Sequence, residues 1–212
     1  MSIPADRRSR KRIATRQAIS NVATRLFWER GFDQVTVDQI AEAADVGRMT
    51  VFNYFARKED MFFDRDEEGR EVLRQAVRQR DSGTAPIEAL RLLAHQLVEQ
   101  KSPYTNFSPE SRNFIATITG SETLKARARA VRDELVQVVA QALAESAGRE
   151  STDPDAQLAA SILLATWSVA FVQAHKAFHQ DNDADHARAI FLAMVDKGSL
   201  ALKVAMAGSP YA

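Results

Sequence analysis

The chain has 212 residues, 45% of them hydrophobic and 26% charged, with no cysteine and a formal net charge of zero. That length can bury a substantial core in one or two domains, and the composition is that of a soluble globular protein rather than a disordered or disulfide-stapled one. The lack of cysteine excludes disulfides, thiolate zinc sites and cysteine redox sensing. The balance of charge hides an asymmetry. Residues 1–58 carry 11 Lys/Arg against 6 Asp/Glu, a net of +5, and residues 59–212 carry 17 against 22, a net of −5. A basic end on an acidic body is expected where only the end meets a polyanion.

Strand signals are nearly absent, with no Asn-Gly or Asp-Gly hairpin and no sustained alternation. Helix punctuation is plentiful, and the spacing predicts an all-α chain of about nine helices. They lie near 13–30, 37–44, 48–54, 58–81, 86–100, 109–118, 121–147, 154–180 and 183–206. Residues 1–9 are expected to lack structure, and 101–108 and 148–153 read as loops. The N-terminus lacks the apolar stretch of a signal peptide, which points to a cytoplasmic protein. Its basic run Arg7-Arg8-Ser9-Arg10-Lys11-Arg12 can lie in a minor groove or along phosphates, with Arg10, Lys11 and Arg12 as contacts.

In the first helix Ile19, Val22, Ala23, Leu26 and Phe27 form one apolar stripe, and Gly31 ends it. Thr36 then caps a short helix carrying Val37, Ile40, Ala41 and Ala44. The turn Ala44-Asp45-Val46-Gly47 leads into Arg48-Met49-Thr50-Val51-Phe52-Asn53-Tyr54-Phe55. Val51 and Phe55, four apart, share the inner face. Arg48, Met49, Asn53 and, at the edges, Phe52 and Tyr54 are left facing outward. Two short helices across a tight turn can fit the second into a major groove.

These residues resemble the TetR family of one-component regulators. The resemblance runs through Leu26-Phe27-Trp28-Glu29-Arg30-Gly31-Phe32, then Thr36 with Ile40-Ala41 and Ala44-Asp45-Val46-Gly47, then Thr50 to Glu59, covering residues 16–61 without a gap. It departs at Asp45, where the family has glycine, at Gly47, where it has a serine cap, and at Phe52, where it has tyrosine. Asp tolerates a left-handed backbone, so the turn can survive. The resemblance implies a three-helix helix-turn-helix DNA-binding domain in residues 1–58 and a helical ligand-sensing and dimerisation domain in 59–212. It further implies a homodimeric, ligand-responsive repressor on a double-stranded, pseudo-palindromic operator, with an activator or non-ligand regulator as the alternative.

Residue chemistry suggests the roles. Arg48 can bond a guanine edge bidentately, Asn53 can pair with adenine or hold a phosphate, and Met49 and Phe52 can meet thymine methyls. Thr36, Thr50, Tyr54 and Lys58 suit phosphate contacts, which position without reading sequence. In the body, the uncharged stretch 156–175 is long enough to cross a bilayer. Its Gln157, Ser161, Thr166, Ser168, Gln173 and His175 instead favour a helix buried in protein, with no membrane contact. His95, Asn113, Phe114, Thr117, Trp167 and Phe171 are the polar and aromatic candidates for lining a small-molecule pocket. Leu202 stands among the apolar residues of the last helix, a candidate for a partner interface. His175 and His179, four apart, could hold a metal in a helical metalloenzyme, but no third ligand is suggested. The expected metal, cofactor and catalytic residues are therefore none. Helix 58–81, charged along much of its length, reads as a rigid lever from the DNA-binding end into the body.

Overall fold

The computed structural model describes residues 7–212, which form ten α-helices and two short 3₁₀ turns, with no strand among them. The helices are α1 (Arg7–Arg30), α2 (Val37–Ala43), α3 (Arg48–Tyr54), α4 (Glu59–Phe62) and α5 (Asp66–Arg78). They continue with α6 (Pro86–Glu99), α7 (Pro109–Thr119), α8 (Glu122–Ser146), α9 (Pro154–Asp181) and α10 (Ala184–Ala205). The punctuation works as the sequence suggests. The Asp153 carboxylate accepts from the amides of Asp155 and Ala156, and Pro154 opens α9 behind it. Gly31 and Gly148 follow their helices at positive φ.

Two expectations are corrected. The first helix begins at Arg7 rather than near 13, so Arg10, Lys11 and Arg12 are helical and exposed. The part of the 1–9 expectation that concerns residues 1–6 lies outside the described residues. The second correction concerns 58–81, which is two helices with a break at Phe63–Arg65. Met61, Phe62 and Phe63 are consecutive, and a helix turns about 100° per residue, so a continuous helix would spread them round more than half its circumference. The break lets them converge. Phe62 stacks on Phe114 at 4.5 Å between ring centres, and Phe63 meets both rings edge-on at 5.6 and 6.0 Å. A continuous lever does not exist.

The chain divides into two compact units. The first combines the described part of Met1–Arg65 with Asn113–Ala128, so it passes the expected boundary at 58/59 and draws in a later segment. Its core is Ile19, Ala23, Leu26 and Phe27 of α1, Phe32 and Val35, Ile40 and Ala41 of α2, Val51 and Phe55, Met61 and Phe62, and Leu124.

The second unit is Asp66–Arg112 with Arg129–Ala212. Its α9 and α10 pack closely because Gly198 has no side chain: a Cβ there would lie 2.2 Å from Cγ2 of Thr166. Gly198 thus marks a close contact between the two helices. Trp167 and Phe171 meet Phe191 of α10 at 6.1 and 4.7 Å. Ion pairs tie α6 to α10: Arg91 to Asp196 at 2.8 Å and Lys203 to Glu88 at 2.6 Å. Arg91 and Lys203 together hold the Glu88 carboxyl down to about 2. Gly198→Ala should destabilise the protein by about 1–3 kcal/mol, the usual cost of overpacking. Adding Thr166→Ala should recover part of the loss, which urea unfolding of the single and double variants will measure.

Candidate nucleic-acid interface

Thr36 opens α2 with a reciprocal cap: its hydroxyl oxygen accepts from the Gln39 amide at 3.3 Å, and its own amide donates to Gln39 Oε1 at 2.9 Å. The cap uses an oxygen lone pair and leaves the hydroxyl proton free to donate. α2 ends in a Schellman arrangement, with the Val46 amide on the Ala41 carbonyl at 3.0 Å and the Asp45 amide on the Glu42 carbonyl at 3.1 Å. Asp45 takes the left-handed position at φ 52° that this closure needs. Gly47 then caps α3 without a side chain.

α3 turns Val51 inward, and Phe55 follows it into the core. Arg48, Met49, Phe52 and Asn53 are exposed, Met49 by 71%, while Thr50 and Tyr54 are half-buried. The inner side of α3 is gripped from α1. Arg16 lays its guanidinium 4.2 Å from the Phe55 ring centre and donates to the carbonyls of Tyr54 at 2.8 Å and Asp64 at 3.3 Å. The buried Ser20 hydroxyl shares its proton between the Met61 carbonyl, 3.1 Å away, and the Asp64 carboxylate. Sequence reading missed both residues. The available signal was the placement of Arg16 and Ser20 four apart, on the margin of the apolar stripe.

Two of the cations expected to contact DNA have protein partners. Arg48 Nη1 bonds both oxygens of Asp38, at 2.9 and 3.1 Å, and its guanidinium lies 5.5 Å from the Phe52 ring centre. Lys58 donates to the carbonyls of Phe32 and Val35, each at 2.9 Å, and lies 4.2 Å above the Phe32 ring centre. Burial lowers its pKa, against the opposing pull of Asp33 and Glu59. With two of its three protons on carbonyls, the ammonium staples the segment before Thr36 to the start of α4.

The six pocket candidates do not come together. Asn113, Phe114 and Thr117 belong to the first unit. Phe114 packs on Phe62, while Asn113 and Thr117 line an open cleft of about 490 Å³ with Trp28, Phe32 and Asp33. His95, in the second unit, has Nε2 2.8 Å from Asp196 Oδ1 on α10. Trp167 and Phe171 sit in the aromatic group around Phe191, and the buried Trp167 indole N–H has no hydrogen-bond partner among the described residues. His175 stands edge-on to Phe107 at 5.0 Å, its pKa lowered by burial, whereas His179 is exposed. α9 is long and apolar enough to cross a membrane by length and composition, but most of one side of it is covered within its own unit.

Residues 19–64 match the family described as bacterial regulatory proteins, tetR family. Over 83 residues the chain is 35% identical to the HTH-type transcriptional regulator TcmR of Streptomyces glaucescens, covering 39% of this chain and 37% of TcmR. Over 49 residues it is 49% identical to MftR of Mycobacterium tuberculosis, named as a transcriptional regulator, covering 23% and 25%. The match thus spans only about a quarter to somewhat over a third of these relatives' length. A solved structure of SmeT, the Stenotrophomonas maltophilia repressor, in complex with triclosan shares the fold. Its TM-score is 0.57 at 18% identity, covering 89% of this chain and 91% of that one.

The staple can be tested directly. Lys58→Met keeps the aliphatic stem and removes the charged donor, and should cost about 1.5–3 kcal/mol in urea unfolding, the usual worth of hydrogen bonds to a charged group. An unchanged midpoint would mean the ammonium holds nothing in place.

Proposed function

We propose, from the premise that this chain belongs to the TetR family of bacterial regulatory proteins through residues 19–64, that it is a sequence-specific DNA-binding transcriptional regulator. The observation that carries this reading is the outward face of α3. Arg48, Met49, Phe52 and Asn53 are exposed together on a helix whose opposite side is anchored in the core. That is the arrangement a recognition helix needs to enter a major groove. Arg48 then meets a guanine, Asn53 an adenine or phosphate, and Met49 and Phe52 thymine methyls. Thr36, Thr50 and Tyr54 have hydroxyls suited to holding phosphates. The helical start of α1, with Arg10, Lys11 and Arg12 exposed, supplies further backbone contacts. Lys58 contributes through its remaining proton, after the staple.

The protein acts in the cytoplasm as a homodimer. On α9, Leu158, Ile162, Ala165, Val169 and Val172 follow a four–three spacing, and all but the half-buried Ile162 are exposed. α10 adds exposed Leu200 and Val204. A second copy covers this apolar seam, as knobs-into-holes packing of such a spacing requires. Two recognition helices then read half-sites about one helical turn apart. A small-molecule effector is supported by the triclosan-bound fold relative and by the unpartnered Trp167 N–H amid aromatic residues, and its effect is to relieve repression.

Two measurements test the reading. Duplex DNA from upstream of the protein's own coding sequence should bind more tightly than unrelated duplex in fluorescence anisotropy. Affinity should fall steeply with salt, and Arg48→Ala should cost about 1–3 kcal/mol on the specific site alone. Equal binding to both duplexes across salt concentrations would overturn it. Val204→Glu, on the exposed seam, should yield monomers in sedimentation that bind the site poorly. A monomer with undiminished affinity would refute the dimer.

A further inference from the structure

We propose that Asp38 is a specificity-positioning residue: its carboxylate holds the Arg48 guanidinium in the orientation that reads a guanine, although Asp38 itself reads nothing. The proposal rests on the DNA-binding reading above and adds to it the residue on which one base preference depends.

Arg48 is the first residue of α3 and Asp38 the second of α2. The Ala44–Gly47 turn, closed by the left-handed Asp45, brings them together across ten residues of sequence. Nη1 of Arg48 is bound to both carboxylate oxygens, at 2.9 and 3.1 Å. Phe52, one turn along α3, places its ring centre 5.5 Å from the guanidinium carbon. A free arginine must give up the freedom of several side-chain torsions when it meets a base. Here much of that freedom is already gone. With Nη1 on the carboxylate, the Nε–Nη2 edge of this largely exposed side chain keeps a pair of donors. Two parallel N–H donors on one edge match the O6 and N7 acceptors of guanine.

The pair contributes little to the fold itself. Both side chains are exposed, Arg48 by 59% and Asp38 by 63%, and exposed ion pairs add little to stability. A carboxylate in the first turn of α2 also favours the helix dipole, but any acid there would do that without reaching α3. Its charge has an opposite effect on DNA. Placed beside the outward face of α3, it repels phosphate whatever the sequence, which weakens indiscriminate binding. A site with the right guanine recovers that loss through the oriented arginine. Asp38 therefore lowers affinity for duplexes that lack the right guanine and raises the contrast between sites. A residue that merely supported α2 would, on removal, weaken both.

The experiment is selection from a random-sequence duplex pool, followed by binding to every single-pair variant of the selected site. It compares the full-length wild type, Asp38→Ala, Asp38→Asn, Arg48→Ala and the Asp38→Ala/Arg48→Ala double variant. The wild type should enrich a site with one G·C pair whose preference Arg48→Ala abolishes. Asp38→Ala should lose most of the preference at that same pair, which for one bidentate contact is roughly 5- to 150-fold. It should bind unrelated duplex a few-fold more tightly than wild type. The double variant should discriminate no worse than Arg48→Ala alone. Asp38→Asn, near-isosteric and still able to accept a hydrogen bond, should fall between wild type and Asp38→Ala, and guards against a folding defect in the alanine variant. Three results would overturn the proposal. They are wild-type preference at that pair in Asp38→Ala, equal loss at all pairs, or weaker binding to unrelated duplex. A wild type that enriches no sequence would instead defeat the DNA-binding reading itself.

Discussion

Helices of seven residues do not persist in water unaided, because nucleation costs more than so few hydrogen bonds return. α2 and α3 each have that length, so everything on the outward face of α3 depends on the grip applied to its inner face. Val51 and Phe55 supply the apolar part of the grip. Arg16 supplies the polar part: its guanidinium covers Phe55 and donates to the Tyr54 carbonyl, one of the acceptors that a helix end leaves open. Ser20, one turn further along α1, catches Met61 and Asp64. The outward face of α3 is thus referenced to one face of α1, and a residue remote from that face can move it.

Much of this was legible in the sequence because it is local. The capped α2, the four-residue turn with an aspartate at the left-handed position, and the inward pair Val51 and Phe55 follow from spacings of four residues or fewer. What escaped depends on contacts distant in sequence. Nothing near Lys58 announces that its ammonium will meet the carbonyls of Phe32 and Val35. Nothing near Arg48 names Asp38. The break at Phe63–Arg65 was hidden because Met61, Phe62 and Phe63 satisfy a helical reading as well as a broken one. The partner that decides, Phe114, lies some fifty residues on. That ring also explains why Asn113, Phe114 and Thr117, read as body residues, fold into the first unit.

The second unit shows a different limit. Composition makes α9 apolar most of the way round, but only packing separates the sides. Leu202 is 1% exposed and belongs to the unit's own core, whereas Leu200 and Val204, two residues to either side, are among its most exposed apolar residues. Periodicity can place these residues on different faces of α10. It cannot say which face is inward until the Gly198–Thr166 approach fixes the rotation of α10 against α9. A single missing side chain thereby decides which leucine is core and which is available to a partner.

The charge asymmetry of the sequence acquires a finer grain in the structure. In the proposed reading, exposed Arg10, Lys11 and Arg12 meet only the phosphate backbone, a contact that would raise affinity for every sequence alike. Discrimination requires a cation that is both presented and constrained. Lys58 is constrained by backbone carbonyls and turned toward the protein, while Arg48 is constrained by a carboxylate and stays outward. The difference follows from their chemistry. A guanidinium can give one nitrogen to a protein acceptor and still offer an intact two-donor edge, whereas an ammonium that gives two of its three protons has one left and no planar edge at all. The segment's net charge of +5 therefore overstates how many of its cations present a free donor edge, and under the proposed reading arginine rather than lysine stands where a base would be read.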